Sequence, residues 1–107
     1  MTETYYFIAA SKAFIESEPL DEVLEERKRN YAERGKPIDF FYVERPAFLS
    51  APEFDGVRAR IDAPAIAIVS SDPKAIRWLK LRLEFVEMGE FVAPSDTIPD
   101  PLASLLE

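Results

Sequence analysis

Residues 76–102 have the sequence I-R-W-L-K-L-R-L-E-F-V-E-M-G-E-F-V-A-P-S-D-T-I-P-D-P-L, which carries the strongest fold signal of the chain. Its apolar residues recur at about 100° per residue, which predicts an amphipathic helix that begins near Pro73 and ends at Gly89. Two neighbouring apolar arcs follow from this spacing: Ile76, Leu79, Leu83 and Val86 form the first, and Trp78, Leu81, Phe85 and Met88 form the second. A short strand at 90–93 and a proline-stiffened tail complete the stretch.

Arg82 falls between these two apolar arcs, where a guanidinium group is costly unless another group pairs with it. Asp39 is similarly out of place, because it precedes Phe40 and Phe41 in a predicted strand and aspartate disfavours strands. One interpretation pairs Asp39 with Arg82 as a partly buried ion pair that orients the helix on the sheet. The other makes Asp39, Phe40 and Arg82 an exposed patch that docks a partner protein. Ala9, a small residue, either lets the helix approach the first strand or offers a close contact to the partner.

The rest of the chain predicts a single domain over residues 1–107, with 94–107 as a proline-stiffened C-terminal tail. Strands are predicted at 4–10, 38–44, 64–70 and 90–93, and helices at 19–34 and 73–89. This β-α-β-β-α-β order predicts an α+β fold with a four-stranded antiparallel sheet and flanking helices, on the ferredoxin-like plan. A small doubly wound parallel sheet is the alternative, and the weak helix signal between the second and third strands disfavours it.

Both faces of the predicted sheet are apolar, because side chains alternate across a strand and the strands are rich in apolar residues at consecutive positions. Two helices cover only one face. The other face therefore needs a cover, for which the sequence leaves several candidates: the proline tail, the 45–63 connection, a second copy of the chain, or a different protein.

Composition excludes several function classes. The chain of 107 residues has a formal net charge of −7, which argues against nonspecific binding to nucleic acid or anionic membranes. It contains no apolar run near the ~20 residues of a membrane span, and its first residues show no secretory or transit signal. It has no cysteine and no histidine, so it lacks thiol chemistry, the commonest general base and the commonest transition-metal ligand. We therefore predict no catalytic residues, no cofactor and no metal site.

Several blocks of the sequence resemble one known family. They are T-Y-Y-F-I-A-A-S at 4–11, E-P-L-x-E-V-L-x-E-R at 18–27, W-L-K-L-R-L at 78–83 and S-D-T-I-P-D-P-L at 95–102. The family is the small accessory protein of the aerobic magnesium-protoporphyrin IX monomethyl ester cyclase of cyanobacteria and plastids. The resemblance implies a compact domain with an antiparallel sheet and a non-catalytic role in chlorophyll biosynthesis. It also implies a docking surface at Asp39, Phe40 and Arg82, with Ala9 nearby. Residues 54–57 depart from the family pattern by being less helical.

The resemblance further implies a partner and a location. The partner is the separate diiron catalytic subunit of the cyclase, with other chlorophyll-synthesis enzymes as further candidates. The protein is then cytoplasmic or thylakoid-associated in a cyanobacterium, or stromal in a plastid, and reaches the membrane only through its partner. The alternative function is a small tetrapyrrole-binding carrier or enzyme that uses the apolar sheet face, although the chain has no histidine to ligate magnesium.

Overall fold

The described residues form one antiparallel sheet with helices around it. The structure is a computed structural model that describes residues 2–18, 20–35, 39–83 and 85–105. Its strands are β1 (Glu3–Ser11), β2 (Phe40–Glu44), β3 (Ala65–Ser70) and β4 (Glu87–Ala93), in the order β2-β3-β1-β4. Every neighbouring pair of strands is antiparallel. The predicted α+β class and antiparallel sheet are thus confirmed, in the strand order of the ferredoxin-like plan, and the parallel alternative is wrong.

The first helical segment was not predicted. Helix α1 (Lys12–Ser17) follows β1 directly and is capped by Ser11, whose Oγ accepts a hydrogen bond from the Phe14 amide at 3.1 Å. Helix α2 (Leu20–Glu33) then runs to a turn at Gly35, which has a φ of 64°. Only glycine adopts this left-handed conformation without strain, so the predicted helix stop at Gly35 is confirmed.

Helix α4 (Pro73–Leu83) is shorter than the apolar spacing predicts. The chain turns at Leu83, whose carbonyl accepts a hydrogen bond from the Phe85 amide at 2.7 Å, and β4 begins at Glu87. Of the predicted second arc, Trp78 packs against the helix-side core, but the rest is wrong: Leu81, Phe85 and Met88 are 77%, 80% and 50% exposed. Gly89 does not end the helix but lies within β4 opposite Phe7, where a Cβ atom would stand 2.9 Å from the Phe7 ring.

The sheet has a core on each face. On the helix side, α2 and α4 pack residues such as Tyr31 and Leu79 against Ile8, Phe40 and Ile68 of the strands. The other face, the loop side, has its own core of aromatic and apolar side chains: Phe7, Phe48, Leu49, Phe54, Val69, Phe91 and Ile98. The Phe48 ring stacks on Phe91 with centroids 4.6 Å apart. The second face is thus covered largely by the chain itself.

Two segments supply this cover. The connection between β2 and β3 forms 3₁₀ turns at Ala47–Ser50 and Pro52–Phe54 and then helix α3 (Asp55–Ala59). Residues 55–57 are therefore helical, although the sequence predicts that 54–57 are less helical than in the family it resembles. The C-terminal tail inserts Ile98, which is 1% exposed, and Pro46 pairs with Ser104 in an isolated bridge. Thr97 Oγ1 donates a hydrogen bond to Glu53 Oε2 at 3.2 Å. The tail thereby ties the connection to the sheet.

Within the described ranges, none of the helices combines the length and the apolar character needed to cross a bilayer.

Candidate docking surface

Arg82 pairs with a different acid from the one predicted. Its Nη2 lies 2.6 Å from Oε2 of Glu26 on α2, and the two side chains are 43% and 50% exposed. The predicted Asp39–Arg82 ion pair is therefore wrong. The reason is geometric: α4 places Arg82 on the flank that faces α2, whereas Asp39 lies just before β2. The Arg82 guanidinium stays at the surface, where it is accessible to a partner.

Three arginines and two aromatic rings alternate across the helix side, and we call Arg34, Tyr31, Arg27, Trp78 and Arg82 the arginine–aromatic row. The Arg82 guanidinium carbon lies 5.1 Å from the Trp78 ring centroid. Arg27 lies 5.2 Å from Trp78 and 5.0 Å from Tyr31, and Arg34 lies 5.7 Å from Tyr31. These separations are within the ~6 Å range of cation–π attraction. The row joins α2 to α4 through contacts between arginine guanidinium groups and aromatic rings.

Asp39 contacts the row at Tyr31. The Tyr31 hydroxyl donates a hydrogen bond to Asp39 Oδ1 at 2.9 Å, and the Tyr31 ring packs edge-on against Phe40 with centroids 5.6 Å apart. Burial, and after it the hydrogen bond to Asp39, raises the pKa of the Tyr31 hydroxyl above its ordinary value of 10.0, although Arg27 opposes this. The hydroxyl therefore stays protonated and donates at neutral pH. Asp39 and Arg82 do not touch, but Tyr31, Arg27 and Trp78 connect them.

The other two predicted site residues are buried. Phe40 is 6% exposed and belongs to the helix-side core, so it supports Tyr31 from below rather than contacting a partner directly. Ala9 is 0% exposed and belongs to the loop-side core. Its side chain faces away from α2 and α4, so the expectation that Ala9 lets the helix approach β1 is wrong. The structure brings Asp39, Phe40 and Arg82 into one connected region and leaves Ala9 outside it.

A groove opens beside Arg27 at the centre of the row. It has a volume of about 240 Å³ and is lined by charged and polar side chains of α2 together with Trp78 of α4: Glu26, Arg27, Arg29, Asn30 and Glu33. The Nε of Arg27 is buried and has no hydrogen-bond partner within the part of the chain that the structure describes. The groove therefore presents charged and polar side chains of α2 next to Trp78 at the centre of the row.

Sequence reasoning did not identify Glu26, Arg27, Tyr31 and Trp78 as parts of this region. The signal was present, because Arg27 and Tyr31 fall on the apolar stripe of α2, as Arg82 falls between the apolar arcs of α4. An arginine at or beside the apolar stripe of each of two helices indicates that the two residues lie near the contact between those helices. The region combines cations, carboxylates and aromatic rings, which is a typical composition for a protein-binding hot spot.

Metal binding has no comparable support. Among residues 2–18, 20–35, 39–83 and 85–105, no group of three or more His, Cys, Asp or Glu side chains is placed to hold a metal ion.

Comparison with known proteins assigns the chain to a family. The model of the Ycf54 protein family matches residues 3–93. The Ycf54-like protein of Synechocystis sp. (strain ATCC 27184 / PCC 6803 / Kazusa) is 53% identical over 105 residues, which span 98% of this chain and 79% of that protein. The protein YCF54, chloroplastic, of Arabidopsis thaliana is 37% identical over 102 residues, which span 94% of this chain and 46% of that protein.

The fold also matches that of a solved relative. The structure of the Ycf54 protein from Synechocystis sp. PCC6803 superposes with a TM-score of 0.89 at 53% identity, covering 98% of this chain and 99% of that chain. The cyanobacterial and chloroplastic sources are those that the sequence resemblance implied. The chain therefore belongs to the Ycf54 family.

Proposed function

We propose that this chain is a non-catalytic accessory subunit of the aerobic magnesium-protoporphyrin IX monomethyl ester cyclase. In this role it acts in chlorophyll biosynthesis by binding the diiron catalytic subunit. Sequence blocks that resemble this accessory family support the proposal, as does membership of a family with cyanobacterial and chloroplastic members. The proposal puts the protein in the cyanobacterial cytoplasm or at the thylakoid, or in the plastid stroma, with membrane contact only through the partner.

The observation that carries the proposal is the exposed Arg82 guanidinium at one end of the arginine–aromatic row. Tyr31, which is 0% exposed, supports the row from the helix-side core. The fold does not require Arg82 strongly: among the described residues, Arg82 forms one exposed ion pair and one contact with the Trp78 ring. Exposed ion pairs contribute only about 0–1 kcal/mol to stability. An arginine held in a fixed direction by weak contacts is well suited to pair with a carboxylate of another protein.

The same weakness makes Arg82→Ala a clean test, because the variant is expected to remain folded. The tagged protein is expressed in a chlorophyll-making cyanobacterium, and the cyclase catalytic subunit that co-purifies is quantified by immunoblot. Loss of a hot-spot arginine should reduce the recovered subunit at least about tenfold. Arg60→Ala is the matched control, because Arg60 forms an exposed ion pair with Glu87 at 2.8 Å, away from the row.

Two results would contradict the proposal at different levels. Equal recovery of the catalytic subunit by wild type, Arg82→Ala and Arg60→Ala would exclude Arg82 from the docking surface. Failure of the wild-type protein to recover any catalytic subunit, with the tagged protein present and folded, would reject the accessory role itself. Circular dichroism of the purified variants shows whether each is folded.

A further inference from the structure

Helix α4 has a solvent-facing side that is both apolar and cationic. Leu81 is 77% exposed, although it lies in the last turn of a helix whose inner residue Leu79 is 2% exposed. Lys74 and Arg77 precede Leu81 by seven and four positions, so helical spacing puts the three side chains on one face, which we call the outer face of α4. Phe85, two residues after the helix, is 80% exposed. Large apolar side chains exposed among cations are typical of a surface that another molecule covers.

The charge of α4 is opposite to that of the chain as a whole. The helix contains four of the 13 basic residues and none of the 20 acidic residues, whereas the whole chain has a formal net charge of −7. Lys74 and Arg77 are exposed, and neither side chain forms a hydrogen bond or an ion pair within the part of the chain that the structure describes. These two cations are therefore available to a carboxylate of another molecule.

The described acids that border the outer face are bound elsewhere. Asp72, directly before the helix, accepts a hydrogen bond from the Lys74 backbone amide at 2.9 Å and so caps the helix. Glu26 of α2 pairs with Arg82 on the helix flank rather than with the outer face. Glu84 follows the helix and lies outside the described residues. A surface whose cations keep no carboxylate partner among the described residues fits an acidic partner.

Charge also distinguishes among the candidate occupants. A second copy that docked symmetrically would bring Lys74 and Arg77 against their own counterparts, and like charges across an interface repel. An anionic bilayer would attract α4 but repel the chain as a whole, because the chain carries a formal net charge of −7. A short acidic segment of another protein avoids both penalties, because it contacts only the outer face.

We infer that the outer face of α4 binds an acidic amphipathic helix of a partner protein. Apolar side chains of that helix lie against Leu81 and Phe85, and its carboxylates lie against Arg77 and Lys74. Because an α-helix rises 1.5 Å per residue, Arg77 and Lys74 are about 6 Å and about 10 Å along the axis from Leu81, so the acidic residues of the bound helix stand about one and two turns from its apolar residues. The inference rests on the proposed function only for the identity of the partner, the cyclase catalytic subunit.

Photo-crosslinking from position 81 tests which segment covers the outer face. The tagged full chain with Leu81→p-benzoylphenylalanine is expressed in a chlorophyll-making cyanobacterium and irradiated, and the crosslinked peptide is identified by mass spectrometry. We expect an adduct with a segment of the catalytic subunit that carries acidic and apolar residues at helical spacing. Phe41→p-benzoylphenylalanine is the matched control, because Phe41 is 44% exposed on the edge strand β2 and should give no adduct with that segment.

Charge reversal tests the cations separately. Arg77→Glu should reduce the catalytic subunit that co-purifies at least about tenfold, and Arg77→Lys should reduce it less. Lys28→Glu is the matched control, because it makes the same change in net charge at a lysine that is 45% exposed on α2. Arg77→Glu is expected to fold, since the Arg77 side chain has no hydrogen bond or ion pair within the described residues, and circular dichroism verifies this.

The outcomes separate the inference from the proposed function. An adduct with a segment that lacks acidic residues, or equal recovery by Arg77→Glu and Lys28→Glu, would overturn the inference, while recovery of the catalytic subunit by wild type would uphold the proposed function. An adduct with an acidic amphipathic helix of a different protein would support the inference and reject the catalytic subunit as the partner. An adduct with a second copy, an adduct with lipid alone, or no adduct from position 81 would overturn the inference. Co-purification by Arg77→Glu decides the question even if the Leu81 variant does not fold.

Discussion

Gly89→Ala is predicted to destabilise the protein although it adds a single methyl group. The added Cβ would stand 2.9 Å from Cζ and 3.0 Å from Cε2 of Phe7, whereas ordinary contact begins at 3.4 Å. The Phe7 ring cannot move aside, because it is 0% exposed and lies among Phe48, Phe54 and Phe91 at centroid distances of 4.8, 5.3 and 6.1 Å. The strain must therefore spread through the loop-side core.

The expected magnitude combines two opposing effects. Overpacking of a well-packed core costs about 1–3 kcal/mol. Replacing glycine by alanine restricts the unfolded chain, which by itself raises the free energy of unfolding by about 0.4–1 kcal/mol. The free energy of unfolding should thus fall by about 1–2 kcal/mol, which lowers the midpoint of urea unfolding by roughly 1 M at an unchanged m-value. Fluorescence of Trp78, the one tryptophan of the chain, reports the transition.

A matched glycine provides the control. A Cβ at Gly56 would meet Arg60 Nη1 at 3.6 Å, which is ordinary contact, and Gly56 lies inside α3. Gly56→Ala should therefore be neutral or stabilise by up to about 1 kcal/mol. Placing Gly89→Ala in a Phe7→Leu background should reduce its cost, because the shorter side chain makes room. Wild-type stability of Gly89→Ala, or an equal cost in both backgrounds, would refute the contact with Phe7 as the cause.

Three further predictions concern other parts of the fold. Because the pKa of Tyr31 is raised, its neutral hydroxyl contributes stability that is complete below pH 10.0 and is lost as pH rises through the folded-state pKa. Tyr31→Phe should make the fall in urea midpoint above pH 10.0 shallower than in wild type, and equal falls would contradict this. Ile98→Ala should lower the free energy of unfolding, measured in urea, by about 2–5 kcal/mol, because Ile98 is buried in the loop-side core. A loss below ~1 kcal/mol would show that the tail does not contribute to that core. Leu79→Ala should lower the free energy of unfolding by about 2–5 kcal/mol, and Leu81→Ala should lower it by less than ~0.5 kcal/mol. Equal losses would show that Leu81 is buried as the apolar spacing of the helix predicts.

The strands of the sheet were predictable because residue type and alternation along each strand indicate it without reference to the rest of the chain. Alternation and β-branched or aromatic residues mark β1, β2 and β3 within a few residues of their observed ends. The two apolar faces of those strands correctly required two covers. The end of α4 was not predictable in this way. Residues such as Phe85 and Met88 continue the helical spacing, but residues 87–93 pair with β1, and a pairing with a strand about 80 positions earlier leaves no mark on the local periodicity.

The candidate docking surface was predictable only in part. Arg82 and Asp39 were recognised because each residue type is unfavourable in its predicted local setting. The predicted pairing of the two residues was wrong, because Arg82 pairs with Glu26, which lies 56 positions earlier in the chain. Charge pairs across helices depend on how the helices are placed side by side, and periodicity within one helix does not contain that distance.

The sequence by itself determined the class of fold, the family and the absence of histidine and cysteine chemistry, because these follow from residue types, local periodicity and short motifs. Tertiary structure alone decided which residues meet. It placed Gly89 against Phe7 and Ala9 in the loop-side core, and it joined Asp39 to Arg82 through Tyr31, Arg27 and Trp78 rather than directly. The physical reason is that contacts between distant segments depend on helix placement and strand register, which the whole core fixes together.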